Sequence, residues 1–377
     1  MIKKVINIAI VCIIMLRVTW VLYDNRAKFV PDYWQRYPIL KDVFGQSQYM
    51  MKGWKYWIPD ETAYSYAAGA YAKGANPILV ESTQPPLGKY LLSLSVLLFN
   101  NENVIVALFF VFLLVGVGWT AYLLSNSSIV SDISVLLLTS DSLFTNQIRY
   151  MPLLDIFEIT FIVWGIACAA LGLRKSVPVI FIVGLVLIGL SMMVKVWVTG
   201  AIFLCVVTVC AVIMKRSYIK YIFIAYGIIF VILLAVYAKT ISSGYSPLEI
   251  LKVQKWLFWY HESKINNFFT IWPLVFLNKW YVWWGSEPII RDSNWSVLWP
   301  IITGVFLFEI VRKLVTKSVS YHNSTWDIFF YCMVIYSFFI SAGQASARYL
   351  LPLFSLVHPF FCALIYRRYL LKGKKRA

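Results

Sequence analysis

Long apolar runs are the feature that most constrains this chain, because a lipid bilayer admits only backbone whose hydrogen bonds are satisfied internally. Eleven such runs lie at about 5–23, 87–99, 103–124, 128–146, 153–172, 177–194, 198–214, 221–238, 295–311, 327–341 and 349–366. With 60% hydrophobic and 14% charged residues, the 377-residue chain fits an integral membrane protein and not soluble domains. The sequence therefore predicts an all-α polytopic fold, with 1–377 as a single transmembrane domain.

The net charge of +17 would suggest nucleic acid as a partner of a soluble protein. Here the basic residues fall largely in short loops between apolar runs, which is the positive-inside pattern of membrane proteins. We therefore expect no nucleic-acid partner. The six cysteines lie in or beside apolar runs, where thiols behave as small buried hydrophobes, so they predict neither disulfides nor a zinc site.

The first apolar run follows Lys3 and Lys4 and could belong to a signal peptide. Because no small-residue cleavage site follows its long core, an uncleaved membrane anchor is the favoured interpretation. The positive-inside rule then places the basic loops on the cytoplasmic side with Lys3 and Lys4. These loops are at about 174–175, 215–220, 312–317 and 367–376.

Five apolar runs precede Arg174, and this odd number means that one of them does not cross the membrane. The run 87–99 is the weakest of the five, because a helix of that length rises only about 20 Å against a hydrocarbon core of about 30 Å. We expect it to be an interfacial or re-entrant helix that begins after Pro85 and Pro86. A bundle of about ten transmembrane helices remains, with both termini inside.

This topology places four segments outside, at about 24–102, 147–155, 239–294 and 341–348. The first is the first outer loop, in which 41–57 and 60–73 are expected to form amphipathic helices on the membrane surface. The third is the long outer loop. Polar residues of interest at or near this face are Asp60, Glu61, Glu81, Arg149, Asp155, Lys195, Tyr260, His261 and Arg348. Their convergence on one face indicates a polar site.

Carboxylates at a helix N-terminus, such as Asp60 and Glu61, also have a structural explanation in capping and the helix dipole. Glu81 and the pair Arg149 and Asp155 on other outer segments strengthen the interpretation as a site. An arginine offers a planar fork to a phosphate, and an aspartate can orient it. Simpler alternatives are a snorkelling Lys195, an anchoring Arg348 and an interfacial His261.

Four stretches of the chain resemble, in order, the protein O-mannosyltransferases of glycosyltransferase family 39, in the GT-C class. The pair Asp60-Glu61 is similar to the acidic pair of the family, and the run from Glu81 to Lys89 to its Asp-x-His-Pro-Pro-Leu-Gly-Lys motif. The stretches 141–155 and 189–200 resemble its second outer loop and its Lys-Trp-Thr-Gly segment. Further similarity lies at 260–261, 272–274 and 348–352.

Two departures from the family pattern concern the substrate. Glu81 stands where aspartate is usual, and Gln84 replaces the histidine before the double proline. The long outer loop also has no room for the large lumenal domain of the eukaryotic enzymes, which favours a compact prokaryotic relative.

The resemblance implies a membrane glycosyltransferase that moves a sugar, mannose by analogy, from a polyprenyl- or dolichyl-phosphate donor to a Ser/Thr hydroxyl of a protein. Asp60 would be the general base with Glu61 beside it, and Arg149, Lys195 and Arg348 would bind the donor phosphate. Substrate contacts would come from Glu81, Gln84, Asp155, Tyr260 and His261.

Transfer to a lipid or a cell-wall glycan, and transport of a lipid-linked sugar without reaction, are the alternatives. No motif with metal-ligand spacing is recognisable, so the sequence predicts no metal site but leaves a divalent cation open. The expected location is the plasma membrane of a prokaryote, with the site on the extracytoplasmic face.

Overall fold

The computed structural model describes residues 2–50, 53–262, 268–282, 288–316, 323–343 and 345–370. Its helices are α1 Ile2–Asp24, α2 Tyr33–Gly45, α3 Asp60–Ala72, α4 Leu87–Phe99, α5 Val104–Ser125, α6 Ser128–Ser140, α7 Ser142–Arg149, α8 Asp155–Lys175, α9 Pro178–Met192, α10 Trp197–Met214, α11 Ile219–Val236, α12 Ala238–Ser242, α13 Pro247–Glu262, α14 Ile271–Leu277, α15 Leu298–Val315, α16 Ser324–Ser341 and α17 Leu350–Ile365. Short strands β1 Trp280–Tyr281 and β2 Ile289–Ile290 pair antiparallel. The predicted all-α membrane fold is confirmed.

Seven helices in the described part of the chain are long and apolar enough to cross a membrane. The pair α6 and α7, which is bent by 59° at Asp141, is an eighth candidate if the two helices form one broken span. The two other predicted crossings are also helices: α9 has 15 residues, and α15 carries Glu309, Arg312 and Lys313 near its end. All ten predicted crossings are thus helical, although length and composition alone support seven or eight.

Hydrogen bonds between loops define one end of the bundle, here called the site end. Asn101 Nδ2 donates to the Lys28 carbonyl at 2.9 Å, and Lys28 Nζ donates to the Met151 carbonyl at 3.3 Å. The amide of Leu87, which begins α4, donates to the Met193 carbonyl at 2.9 Å. Both ends of α4 therefore lie at the site end, so α4 does not cross the bundle, as its length predicts.

The opposite end of the bundle gathers the remaining turns. Asn7 Nδ2 donates to Ser128 Oγ at 2.7 Å, and the Trp326 indole donates to the Leu124 carbonyl at 3.0 Å. Because α1 begins and α17 finishes at this end, both termini of the described chain lie on the same side of the bundle.

Close helix packing at the centre of the bundle fixes the position of α8. At Gly184 of α9 an added Cβ would lie 2.4 Å from the Ala169 nitrogen, and at Gly172 of α8 it would lie 2.4 Å from the Phe181 nitrogen. Small residues allow backbones to approach this closely in a membrane, where packing and not the hydrophobic effect holds helices together. The N-terminus of α8, which begins at Asp155, is consequently held at the site end by a rigid element.

The first outer loop folds differently from its prediction as two surface helices. The segment 41–57 is not one helix: α2 begins earlier, at Tyr33, and ends at Gly45, after which the chain turns through Gly53 with a φ of 79°. Glycine accommodates such a conformation and interrupts a helix. The helix expected at 60–73 is present as α3, but most of it is buried, since Gly69 packs against Tyr33. This helix packs within the protein and does not lie on its surface.

Cysteine labelling tests whether α4 crosses the membrane. A cysteine replacing Leu79, which is exposed before α4, and one replacing Lys175 after α8 are separated by three crossings if α4 stays at the site end. We expect a membrane-impermeant maleimide to label Leu79→Cys in intact cells and Lys175→Cys only after permeabilisation. Labelling of both positions from the same side would mean that α4 crosses.

Candidate functional site

Three polar positions from distant parts of the chain meet at the site end. Asp60 begins α3, Asp155 begins α8, and Arg348 belongs to the 3-10 turn Ala347–Tyr349 that precedes α17. Lys195 joins them from the turn between α9 and α10. The bundle thus assembles a cluster, here called the Arg348 cluster, from Asp60, Asp155, Lys195 and Arg348.

Arg348 connects the two carboxylates of the cluster. Its Nη1 donates to Asp60 Oδ2 at 2.9 Å, and its Nη2 donates to Asp155 Oδ2 at 2.7 Å. Nε completes a fork on Asp155 with a weaker contact of 3.4 Å to Oδ1. A planar guanidinium is suited to such two-sided binding and holds both carboxylates in a fixed relation.

Lys195 approaches Asp155 from the other side, and its Nζ donates to Asp155 Oδ1. The side chains of Asp155 and Lys195 are 3% and 8% exposed, so both charges are almost fully removed from water. Such charges persist only when they are paired and hydrogen-bonded. These contacts account for Lys195 better than snorkelling to the interface does.

Asp60 is the accessible carboxylate of the cluster. Its side chain is 38% exposed, and the hydroxyl of Tyr49 donates to Oδ1 at 3.1 Å. Burial opposes ionisation, but the positive charges of Arg348 and Lys195 outweigh it and hold the pKa of Asp60 below its usual range. Asp60 is therefore ionised at neutral pH and open to a ligand.

The charges of the Arg348 cluster are balanced, so each of its cations already has a carboxylate partner. Arg348 and Lys195 contribute two positive charges, and Asp60 and Asp155 contribute two negative charges. Arg149, the third cation expected to bind phosphate, ends α7 with an exposed side chain, and in the described part of the chain no ion pair joins it to this cluster. Any anion that binds Arg348 or Lys195 would therefore compete with these carboxylates.

Glu81 belongs to a separate buried pair. Lys89 Nζ donates to Glu81 Oε2 at 2.6 Å and to the Gln84 carbonyl at 2.9 Å, and both charged side chains are 0% exposed. Thr83 donates to the other carboxylate oxygen of Glu81, whose backbone has a φ of 44°. The geometry shows a role in holding the loop before α4, and a substrate contact for Glu81 or Gln84 stays a prediction.

Burial has opposite effects on the two members of this pair. It raises the pKa of Glu81, and the charge of Lys89 lowers that pKa again without cancelling the effect. Burial also lowers the pKa of Lys89, and the charge of Glu81 raises it in part. Each group consequently depends on the other to stay charged.

Glu61 faces a different side of α3 from Asp60. It lines an open cavity of about 320 Å³ together with Lys28, Arg36 and Glu102, next to the turn at Met151. Consecutive residues on a helix point about 100° apart, which explains the separation. The two residues of the expected acidic pair thus lie on adjacent surfaces: Asp60 in the Arg348 cluster and Glu61 in the cavity.

Two predicted substrate contacts, Tyr260 and His261, have side chains outside the described residues. Both predictions therefore stay untested. Within the described part of the chain, no group of three or more His, Cys, Asp or Glu side chains is arranged to hold a metal ion.

Three residues near the Arg348 cluster were not predicted from the sequence. Tyr49 contacts Asp60, and Tyr64 is buried where burial and the charges of Asp60 and Glu81 raise its pKa, so its hydroxyl stays protonated. Glu158 lies one turn further along α8, buried, and its Oε1 has no partner among the described residues. An ionisable residue inside an apolar helix is a signal that could have identified Glu158.

The fold is GT-C-like, as its similarity to one solved membrane protein shows. The chain is similar to the crystal structure of ArnT from Cupriavidus metallidurans in the apo state, with a TM-score of 0.50 and 15% sequence identity. The similarity covers 84% of this chain and 57% of the ArnT chain, so this chain spans little more than half of that length. No family model matches the sequence, and no curated protein matches it.

Proposed function

We propose that the protein is a membrane glycosyltransferase that moves a sugar from a polyprenyl-phosphate donor to a hydroxyl group. The observation that carries this proposal is the accessible carboxylate of Asp60, held by Arg348 beside the buried pair of Asp155 and Lys195. Such a carboxylate at one end of a bundle of apolar helices suits a reaction between a lipid-anchored donor and a polar acceptor.

The reaction assigned to Asp60 is a single displacement. The carboxylate accepts the proton of the acceptor hydroxyl while the acceptor oxygen attacks the anomeric carbon of the sugar. The bond between that carbon and the phosphate oxygen breaks, and its electron pair leaves with polyprenyl phosphate. Attack from the side opposite the leaving group inverts the anomeric configuration. A carboxylate with a lowered pKa can do this because the acceptor hydroxyl becomes much more acidic as its oxygen bonds to the electron-poor anomeric carbon.

The donor phosphate would bind the N–H groups of Arg348 and Lys195 that remain free, with Arg149 as a further cation. Phosphate binding to a balanced cluster weakens the hold of Arg348 on Asp60, since both anions then compete for one guanidinium. This competition makes Asp60 a better base when the donor is bound. In this proposal the same arginine links donor binding to activation of the acceptor.

The fold likeness to ArnT and the motif resemblance to the O-mannosyltransferases indicate which donors and acceptors to test first. ArnT is a GT-C glycosyltransferase that transfers 4-amino-4-deoxy-L-arabinose, and the fold likeness makes a lipid-linked sugar the first donor class to test. The motif resemblance to the O-mannosyltransferases makes mannose the first sugar to test, and it places a Ser/Thr hydroxyl beside glycan and lipid hydroxyls among the acceptors to test. Positive-inside topology would place the site end on the extracytoplasmic face of a prokaryotic plasma membrane.

A transfer assay tests the function directly. Purified protein is incubated with labelled polyprenyl-phosphate mannose or polyprenyl-phosphate aminoarabinose, and with a Ser/Thr peptide, an oligosaccharide or a glycolipid as acceptor. Parallel samples contain EDTA or added Mg²⁺ or Mn²⁺, which determines whether a divalent cation is needed. We expect label to move to at least one acceptor. Donor that crosses the bilayer of proteoliposomes unreacted, with no label on any acceptor, would identify a transporter instead.

A further inference from the structure

We propose that the cavity beside Glu61, here called the α3 cavity, binds a sugar ring of the acceptor, so that the acceptor is a glycan or glycolipid. This proposal rests on the proposed transferase function. The cavity has a volume of about 320 Å³ and is lined by Lys28, Arg36, Glu61, Ser65, Glu102 and Asn103. This is the lower end of the range for small-molecule pockets, which suits one small polar ring.

The floor of the α3 cavity is a built polar network. Glu102 is buried and accepts two hydrogen bonds from Arg36, at 3.3 and 3.1 Å, and one from Ser65 Oγ at 2.5 Å. Arg36 Nε also donates to Asp32 Oδ1 at 2.7 Å. These charges are held in place before any ligand arrives, which lowers the ordering cost of binding.

Polar groups with unused hydrogen-bonding capacity line the same cavity. Asn103 is 4% exposed, its Nδ2 donates to the Lys28 carbonyl at 2.8 Å, and its Oδ1 has no partner within the described residues. This oxygen has less than 1 Å² of accessible surface, so the groups that a ligand can reach belong to the other polar residues of the lining. Lys28 Nζ donates to the Met151 carbonyl and has further protons to offer, while the Glu61 carboxylate can accept.

The charges and hydrogen-bonding groups of the lining indicate which class of ligand fits the cavity. Two cations, Lys28 and Arg36, face three carboxylates, so the cavity has no surplus positive charge for a phosphate. Hydroxyl groups both donate and accept, which matches a lining of amide, ammonium and carboxylate groups. Aliphatic side chains at the rim offer an apolar surface to the C–H face of a sugar ring; these are Leu40, Met151 and Pro152.

The position of the cavity assigns the ring to the acceptor and not to the donor. Asp60 and Glu61 are consecutive in the first turn of α3, so the proposed base and the cavity lie on adjacent sides of the same helix end. None of the three cations expected to hold the donor phosphate lines the cavity; these are Arg149, Lys195 and Arg348. An acceptor ring in the cavity would leave the other side of Asp60 to the donor.

Ligand-observed NMR tests this proposal without any turnover. Methyl α-mannopyranoside and methyl β-glucopyranoside are the probes, and saturation transfer from the purified protein to their ring protons is the measurement. Ala27→Trp fills the mouth of the cavity from an exposed position, and Leu79→Trp adds the same side chain to an exposed position outside it. We expect at least one probe to bind wild type and Leu79→Trp, and Ala27→Trp to raise its Kd at least about tenfold.

Further measurements distinguish the sources of the ring and separate this proposal from the transferase function. If the cavity holds the acceptor ring, unlabelled polyprenyl-phosphate sugar leaves the probe signal unchanged, and Ala27→Trp raises KM for a glycan acceptor but not for the donor. Displacement of the probe by the lipid-linked donor would overturn the assignment to the acceptor. No probe binding to wild type, or equal binding to Ala27→Trp, would overturn the cavity itself. Because binding needs no donor, these outcomes are readable even if the transfer assay fails.

Discussion

Replacing Asp60 with Asn is expected to lower the transfer rate by about 10²–10⁴-fold, the usual contribution of a general base. The amide has nearly the shape of the carboxylate and can still accept the hydrogen bond from Arg348, but it cannot take a proton from the acceptor. Because Asp60 and Arg348 are partly exposed, losing this ion pair should destabilise the fold less than losing one member of the fully buried pair of Glu81 and Lys89. The measurements are steady-state transfer rates and chemical denaturation of the purified variant.

Asp42→Asn is the matched control for this substitution. Asp42 belongs to the same outer loop, is exposed on α2 and accepts a hydrogen bond from Gln46 at 2.8 Å, away from the Arg348 cluster. We expect wild-type transfer from Asp42→Asn. If Asp60→Asn also retained the wild-type rate, Asp60 would not be the base, and if it unfolded in mild denaturant the loss of rate would carry no mechanistic meaning.

Replacing Lys89 with Met is expected to destabilise the protein by about 3–5 kcal/mol, because it leaves a buried carboxylate without its cation. Glu81 and Lys89 are both 0% exposed, and Lys89 also donates to the Gln84 carbonyl. Without Lys89, the loop before α4 loses both of these contacts. The amide of Leu87 at the end of that loop is bonded to Met193, close to Lys195, and transfer should therefore fall as well. Thermal unfolding in detergent measures the loss of stability.

The double variant Glu81→Gln with Lys89→Met separates buried charge from packing. Removing both charges of a buried pair is often close to neutral for stability, in contrast to removing one of them. We expect the double variant to recover most of the stability lost by Lys89→Met. If it is as unstable as the single variant, the contacts of Lys89 with backbone carbonyls stabilise the loop more than its charge does.

The sequence was sufficient for those features that follow from apolar length and charge distribution. The parity of the basic loops, together with the short length of the run 87–99, predicted that this helix does not cross, and both of its ends do lie at the site end. The helix after Asp60 was also predicted within one residue at each end. Both predictions depend on local composition, which a sequence displays directly.

The sequence could not reveal which charges pair with which. Asp60 and Arg348 are 288 positions apart, and Lys195 and Asp155 are 40 apart, so no spacing connects them. The prediction that Arg348 and Lys195 bind the donor phosphate stays a prediction, but the sequence did not show that both cations are paired with carboxylates. Likewise Glu81 was predicted as a substrate ligand, although its partner Lys89 lies only eight positions away and eight is not a spacing that pattern rules interpret.

The burial of α3, which was expected on the membrane surface, could not be predicted for a related reason. Alanine and tyrosine at helical spacing in α3 fit a helix on a membrane surface equally well as one packed under α2. What decides between them is the close approach of Gly69 to Tyr33 and Tyr37, a contact between segments about 30 residues apart. Burial of α3 is what fixes the position of Asp60 at its first turn.

The anomeric configuration of the transferred sugar tests the central claim most directly. Polyprenyl-phosphate sugar of known configuration is turned over by the wild-type protein, and the one-bond C–H coupling of the product's anomeric centre is measured by NMR. A single displacement assisted by Asp60 predicts a product of opposite configuration to the donor. A product of the same configuration, or no transfer to any acceptor, would contradict the account.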